Sequence, residues 1–326
     1  MQAAVYHRYG PPSVVTLSEV PKPAPASNEV LIRIHATTVS TGDWRARSLR
    51  MPPGFSLLGR LVFGLLGPRQ PILGTELSGV IEAVGSSVTK FKAGDEVFAF
   101  PGEAYGCHAE YRTMGEDGPI APKPACLSHP EATSLSFGGI TALGFLRDKG
   151  GMKSGDKVLV VGASGAVGSA AVQLARHFGA TVTGVCSAGN SELVRSLGAD
   201  RVIDYRTVDF ATSGETWDII LDTTGTVKFD CAEQALAPGG RLLVVLASLA
   251  QSMGKRPKVG GKRLIAGLVK TRVEDLHFLA ALATSRDLRA VIDRLYPLAD
   301  AAEAHAYVDT GRKRGSVVLS VRGPDR

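Results

Sequence analysis

The chain has 326 residues, 44% of them apolar and 21% charged, which fits a globular protein of two domains and excludes a disordered or fibrous chain. The net charge of +6 is dispersed; its densest group, Lys255, Arg256, Lys258, Lys262 and Arg263, lacks interleaved aromatics and reads as a solvated loop, so nucleic acid is not the expected partner. The longest apolar stretch, 57–67, is broken by Gly59, Arg60 and Gly64 and falls short of the roughly 18 residues of a membrane span, so no membrane is expected either.

In chain order, Met1-Gln2-Ala3-Ala4-Val5-Tyr6 reads as a strand that begins at once, without the basic region and apolar block of a signal peptide. Residues 30–36 and 79–85 alternate as strands, and Gly94-Asp95 places a turn before a third strand ending near Ala99. Short strands with Gly and Pro punctuation predict a small, barrel-like β domain. Between them Phe55, Leu57, Leu58, Leu61, Val62 and Phe63 read either as an apolar cover over a substrate pocket or as an amphipathic helix on the domain surface. The four cysteines, Cys107, Cys126, Cys186 and Cys231, form no C-x-x-C pair and match no zinc or disulfide spacing. They read as reduced thiols of a cytoplasmic protein.

The texture changes near Pro122-Lys123-Pro124. Strands over 157–161, 181–186, 217–222 and 241–246 alternate with helices over 166–178, 191–197 (closed by Gly198) and 229–236, and a further helix covers 273–283. This is the β-α-β alternation of a doubly wound parallel sheet. A terminal strand over 316–321 is expected to complete the first domain. The expectation is therefore an α/β chain, with a discontinuous β-rich domain over 1–122 and 289–326 and a doubly wound domain over 123–288.

The motif with the most chemistry is Val160-Val161-Gly162-Ala163-Ser164-Gly165-Ala166-Val167-Gly168. It follows a buried strand and opens a helix. Gly165 lets backbone approach a pyrophosphate, Gly168 lets the helix pack on the strand, and the helix N-terminus offers free N–H groups. The alternative is an ordinary tight turn between strand and helix. At the end of the next strand a carboxylate normally selects NAD(H) by binding the ribose 2′-hydroxyl. Here Cys186-Ser187-Ala188-Gly189-Asn190 offers none before Glu192, so a 2′-phosphate meets no repulsion and Ser187 can donate to it. NADP(H) is expected over NAD(H). Ser187 and Asn190 also read as caps for the helix from Ser191. Loop residues after later strands, Thr224, Leu246 and Ala247, are further expected cofactor contacts, because ligands sit at strand carboxyl ends.

Several segments together carry a resemblance. They are Val39-Ser40-Thr41-Gly42-Asp43-Trp44, Gly74-Thr75-Glu76-Leu77-Ser78-Gly79-Val80, Lys92-Ala93-Gly94-Asp95-Glu96-Val97, Gly139-Ile140-Thr141-Ala142, the Gly165 turn, Leu197-Gly198-Ala199-Asp200-Arg201-Val202-Ile203-Asp204-Tyr205, Asp222-Thr223-Thr224-Gly225 and Leu236-Ala237-Pro238-Gly239-Gly240-Arg241. In this order they resemble the medium-chain dehydrogenase/reductases, in their zinc-free quinone oxidoreductase branch, over nearly the whole chain. The resemblance implies a GroES-like catalytic domain plus a Rossmann domain, with the cofactor in the cleft. It also implies a homodimer joined through the strand near 264–269. By the same resemblance Thr141 lies near the nicotinamide or its phosphate, and Tyr205 contacts the adenosine ribose or 2′-phosphate. Otherwise Thr141 starts a long helix toward Leu146, and Tyr205 packs on the sheet edge.

Zinc-dependent relatives hold their metal at positions that match Ser40, Thr75 and Phe137. None of these supplies a zinc site, so no metal is expected. Glu76 and Asp43 stand where relatives support the metal shell and are expected to hold the fold or the polarity of the cleft. Without a Lewis acid, another donor must meet the oxyanion formed as hydride arrives. Candidates are Ser40, Thr41, Arg45, a cofactor hydroxyl or water, with Asp43 beside them; Arg45 and Arg47 read alternatively as surface charges. Several members carry Asn at Ser40 and some Tyr at Arg45. Quinones and enones delocalise the incoming charge and suit a weak electrophile. The expected activity is thus hydride transfer from NADPH to a small apolar quinone, enone or reactive carbonyl. An NADP-dependent alcohol dehydrogenase, or a cofactor-binding structural or RNA-binding protein with little turnover, are the other readings.

Overall fold

The computed structural model describes residues 1–248, 251 and 258–322. Two compact units divide the chain: Met1–Met51, Ser56–Phe137 and Thr271–Arg326 in the first, Pro52–Phe55 and Gly138–Lys270 in the second. The expected breaks at 122/123 and 288/289 thus fall elsewhere. The helix Val273–Ser285 packs against the strand Ile120–Pro122, which draws it into the first unit.

The first unit begins with β1 (Gln2–Val5), β2 (Thr16–Glu19) and β3 (Glu29–Thr38). Helices α1 (Thr41–Ser48) and α2 (Ser56–Phe63) follow, then β4 (Leu77–Val84), β5 (Glu96–Ala99), β6 (Tyr111–Gly115) and β7 (Ile120–Pro122). β3 organises this unit. One edge pairs antiparallel with β4; the other pairs with β6 over its first half. Register shifts at Leu31/Ile32 and Ile34/Ala36 let the strand coil around a core of Val30, Ile32, Ile34, Leu77, Ile81, Val97 and Ile120. Helix α3 (His129–Leu143) comes next, continued by a wider π-helical turn over Gly144–Lys149.

The second unit holds β8 (Lys157–Val161), α4 (Ala166–His177), β9 (Thr181–Cys186), α5 (Ser191–Ser196), β10 (Arg201–Asp204), β11 (Trp217–Asp222), α6 (Phe229–Glu233) and β12 (Leu236–Val244). A hairpin closes it, β13 (Lys258–Val259) and β14 (Lys262–Ile265). The sheet order is β10-β9-β8-β11-β12-β14-β13, every neighbouring pair parallel except the last. Apolar runs such as β8, buried at all but Lys157, are what a sheet covered on both faces requires. Helix α6 stops short of the expected 236 because Leu236 already pairs with Trp217. The expected basic loop is in part this edge hairpin, turning at Gly260 and Gly261 with positive φ; Lys255 and Arg256 lie outside the described residues.

The chain returns to the first unit with α7 (Val273–Ser285), β15 (Ile292–Pro297), α8 (Ala301–Asp309) and β16 (Ser316–Ser320). β16 pairs antiparallel with the second half of β3, as a terminal strand completing the domain should, and β15 extends that sheet in parallel. No helix among the described residues is long and apolar enough to cross a membrane.

Candidate functional site

In the second unit the strand order reverses between β8 and β11, and the loops at their carboxyl ends meet there. The first, Gly162-Ala163-Ser164-Gly165, leads into α4. Gly162 adopts φ +79°, and a Cβ on it would lie 2.6 Å from both Thr223 Oγ1 and Thr224 Cγ2. Glycine there is required by backbone and neighbours alike. A Cβ on Gly168 would stand 2.1 Å from Gly162 O, so the third glycine lets α4 sit directly on the turn. At Gly165 a Cβ would meet only Gly162 O, at 3.5 Å. The space over this residue is open, and as N-cap it offers no side-chain bond to the helix. The first N–H groups of α4, at Ala166, Val167 and Gly168, therefore present donors and the positive dipole end without an internal cap.

Three further strand ends supply the surroundings. At the end of β9, Asn190 Nδ2 donates to Ser164 Oγ (3.0 Å), tying this loop to the glycine turn. Asn190 makes no side-chain cap bond to α5, and Ser187 caps nothing, which removes the capping alternative for both. After β11, Asp222 accepts from Thr224 N (2.8 Å), Thr224 Oγ1 (2.7 Å), Gly225 N (3.0 Å) and Val227 N (2.8 Å), so one buried carboxylate shapes the loop. A Cβ on Gly225 would stand 2.9 Å from Leu246 O, which places Leu246 and Ala247, just past β12, beside this loop. A Cβ on Gly138 would meet Ala166 O at 2.4 Å. Thr141, one helical turn on, shares that face of α3. It stands near the end of a helix that begins at His129, not at a helix start. Tyr205 is 60% exposed rather than packed on the sheet edge, and the Arg206 guanidinium lies 5.8 Å from its ring centre. Arg206, two residues beyond the Asp204–Cys186 pairing, is a cation that sequence reasoning passed over.

In the first unit, the residues expected to do chemistry gather at the start of α1. Ser40 Oγ donates to Asp43 Oδ2 (2.6 Å), Ser40 N donates to the same oxygen (2.7 Å), and Asp43 N returns a bond to Ser40 Oγ (3.2 Å). Gly74 N donates to Asp43 Oδ1 (2.8 Å). This is a reciprocal capping box, fully buried. The hydroxyl proton of Ser40 is committed to Asp43, so Ser40 is not the free donor expected of it. The S-x-x-D spacing at 40–43 was the available signal for this role. A Cβ on Gly42 would lie 3.2 Å from Ser40 Oγ and 4.0 Å from both Thr75 Cγ2 and Phe137 Cε2. The three positions matched to metal ligands thus surround one point.

Thr75 is 5% exposed, and its Oγ1 has no hydrogen-bond partner among the described residues. Arg45, on the Gly42 face of α1, stacks beside Trp44 with its Nε buried and unpartnered; burial lowers its pKa. Arg47 is no surface charge. It is fully buried, paired with Asp309 of α8, and donates to Gly10 O. Glu76, also buried, accepts from Thr38 Oγ1 and from Phe137 N. Desolvation first, with the nearby charge of Asp43, pushes its pKa up to about 8. The half-buried Lys313, whose ammonium donates to Gly315 O, is held down to about 8 by the same loss of water, partly countered by Glu76.

Residues 26–125 match the family model described as the alcohol dehydrogenase GroES-like domain, and residues 197–319 that described as zinc-binding dehydrogenase. The chain is 31% identical to the chloroplast envelope quinone oxidoreductase homolog of Arabidopsis thaliana, over 98% of each. The chain belongs to the medium-chain dehydrogenase/reductase superfamily, in its quinone oxidoreductase-like branch. It is an oxidoreductase. With the 2-methylene-furan-3-one reductase of Solanum lycopersicum it shares 33% identity over 98% of this chain and 79% of that one. The solved structure of the quinone oxidoreductase from Coxiella burnetii superposes over 99% of each chain with a TM-score of 0.86 and 31% identity. The two units are accordingly the GroES-like and Rossmann halves of this family.

One of the two family models is described as zinc-binding, yet the donor set here does not fit zinc. Around Gly42 stand a hydroxyl already bonded to Asp43, a threonine methyl and a phenyl ring. Tetrahedral zinc takes thiolate, imidazole or carboxylate ligands. Among the described residues, no cluster of three or more His, Cys, Asp or Glu is placed to hold a metal ion.

Proposed function

We propose that this oxidoreductase transfers hydride from NADPH to a small apolar quinone, enone or reactive carbonyl without a catalytic metal. The observation that carries this reading is the glycine turn at the switch point: open over Gly165, uncapped at α4, and closed at Gly168. The amides of Ala166, Val167 and Gly168 hold the pyrophosphate over the open backbone of Gly165, whose own N–H is spent on Gly162 O (3.1 Å), and Ser164 helps. Thr141, Thr224, Leu246 and Ala247 line the nicotinamide half. Ser187, Asn190 and Tyr205 face the adenosine ribose, and the exposed guanidinium of Arg206 supplies the charge a 2′-phosphate needs. The bound dinucleotide supplies a hydride. The chain's own part is to hold the acceptor and meet the negative charge that develops on its oxygen.

With Ser40 committed to Asp43, that donor is Thr75 Oγ1, seconded by Arg45 Nε. Both are polarised groups without partners in the first unit. A hydroxyl and a guanidinium suffice for an acceptor whose charge spreads over a conjugated system. The curated relatives named above, a quinone oxidoreductase homolog and an enone reductase, support this acceptor class. Leu268, 83% exposed just past β14, supports a homodimer contact along that edge.

The test is steady-state NADPH oxidation with a water-soluble quinone and a simple enone, run with and without chelator. Turnover insensitive to chelator is the expected result. Tight NADPH binding with no turnover on any electrophile, or chelator-sensitive oxidation of a short alcohol, refutes the reading.

A further inference from the structure

Helix α2 is amphipathic, but it faces the wrong way for a soluble surface. An ordinary surface helix turns its apolar stripe toward the core. In α2 the residues turned inward are Gly59, where a Cβ would press on Met51 at 2.8 Å, and Phe63, whose ring lies 6.2 Å from that of Tyr105. The outward face carries Leu57, Leu58, Leu61 and Val62, and the turn that follows adds Leu65 and Leu66. Their exposures run from 44% at Leu58 to 103% at Leu66. Six contiguous aliphatic side chains in water are a cost that a free surface rarely carries without a partner.

The segment is held in this pose. Tyr9 Oη donates to Gly64 O (2.9 Å), and Arg69 N donates to Phe63 O (2.8 Å), so the turn after the helix is fixed at both ends. Its electrostatics are one-sided. Between Asp43 and Glu76 the sequence has no acidic residue, while Arg60 on the helix and Arg50 and Arg69 on either side of it in the chain stand exposed. An apolar face accompanied by arginines, with no carboxylate in the segment, matches the boundary between acyl chains and anionic headgroups.

We propose that α2 and the Leu65-Leu66 turn form a shallow anchor that lays the first unit on an anionic lipid bilayer. No part of the chain needs to span the membrane for this; the helix lies in the interface. The docking rests on the exposed face alone and goes beyond the hydride-transfer reading. If both hold, the enzyme works where apolar quinones dissolve.

Full-length protein is sedimented with vesicles of phosphatidylcholine alone and of phosphatidylcholine with phosphatidylglycerol. Three proteins are compared: wild type, the triple variant L57S/L61S/L66S, and R60E/R69E. Wild type is expected to pellet with the anionic vesicles at low salt and to be released as salt rises. Each variant is expected to lose about tenfold in partitioning, because apolar burial and arginine attraction contribute separately. The substituted side chains are exposed, so melting temperature and NADPH-induced stabilisation serve as controls for folding. NADPH oxidation in solution tests the hydride-transfer reading independently. Wild type that stays in the supernatant, or a triple variant that pellets equally well, overturns the proposal. So does a concentration-dependent dimer that the triple variant dissolves in the absence of vesicle binding, which assigns the face to a second copy.

Discussion

Two helix starts in this molecule meet the same problem in opposite ways. At α1 the first orphan N–H groups face Ser40 and Asp43, which bond to them and to each other. At α4 the N-cap is Gly165, which has no side chain to offer. A capped start satisfies itself and becomes framework. An uncapped start, with open space above it and the strand order reversing beside it, is left to a ligand. The comparison also explains why the two units differ in what they do with polar groups. The second holds backbone donors in reserve. The first buries its carboxylates, Asp43 and Glu76, in hydrogen bonds, and among the described residues Thr75 Oγ1 and Arg45 Nε are buried there without a partner.

Adding one methyl to each of two glycines in the open turn sharpens this contrast most. Gly168→Ala drives a Cβ onto Gly162 O, a backbone atom that cannot step aside, and should cost about 3 kcal/mol of stability. Gly165→Ala meets only an ordinary contact at 3.5 Å and should leave stability within about 0.5 kcal/mol. Both should abolish most of the thermal stabilisation by NADPH, the second because its Cβ enters the space the pyrophosphate needs. Chemical denaturation and thermal shift measure the two effects separately. A Gly165→Ala protein that keeps full NADPH stabilisation would break the assignment of the turn.

A smaller effect is expected at Glu76. Removing its buried carboxylate, as in Glu76→Ala, takes away the acceptor that Thr38 Oγ1 and Phe137 N share and should cost about 2 kcal/mol. The pH dependence gives a finer test. Glu76 keeps its proton in the folded chain up to about 8, while the unfolded chain releases it near 4.5. Within that window the unfolded state binds fewer protons, so stability falls as pH rises. The contribution is fully present below the unfolded value and is lost by the time pH passes about 8. Lys313 acts the other way, but only above about 8. Glu76→Gln mimics the protonated acid, its amide oxygen facing Phe137 N. The unfolding free energy of wild type relative to this variant should therefore decline between pH 5 and 8. Parallel pH profiles would show that Glu76 is ionised in the fold.

Much of the second unit was legible from residue spacing. Continuous apolar runs bounded by turns fixed the strands, and three glycines at set intervals marked the turn, because parallel sheets bury both faces and leave few alternatives. The first unit was harder for a physical reason: its decisive contacts join residues far apart in sequence. Arg47 looks like a surface charge until the fold buries it and brings Asp309, 262 residues away, to pair with it from the surface. β15 escaped notice because, pairing only at the sheet edge, it alternates weakly and leaves Arg294 and Leu295 exposed. Helix α2 showed its periodicity, but periodicity cannot say which way a stripe faces. Ser40 and Thr75 are both hydroxyls at positions that match metal ligands of zinc-dependent relatives; only three-dimensional bonding separates them.

That separation yields the smallest stability changes and the clearest division of roles. Ser40→Ala removes one cap and should cost about 1 kcal/mol. Its kcat with a water-soluble quinone should follow the loss of folded protein and nothing more. Thr75→Val replaces an unpartnered buried hydroxyl with a methyl of the same shape, so stability should hold or rise slightly. Its kcat should fall by about 100-fold, the effect of removing one donor aimed at a developing oxyanion. KM should change little, because the bond strengthens only as charge develops. If Ser40→Ala is instead the variant that loses turnover while staying folded, the capping box opens during the reaction, and the two helix starts are less different than their resting geometry makes them.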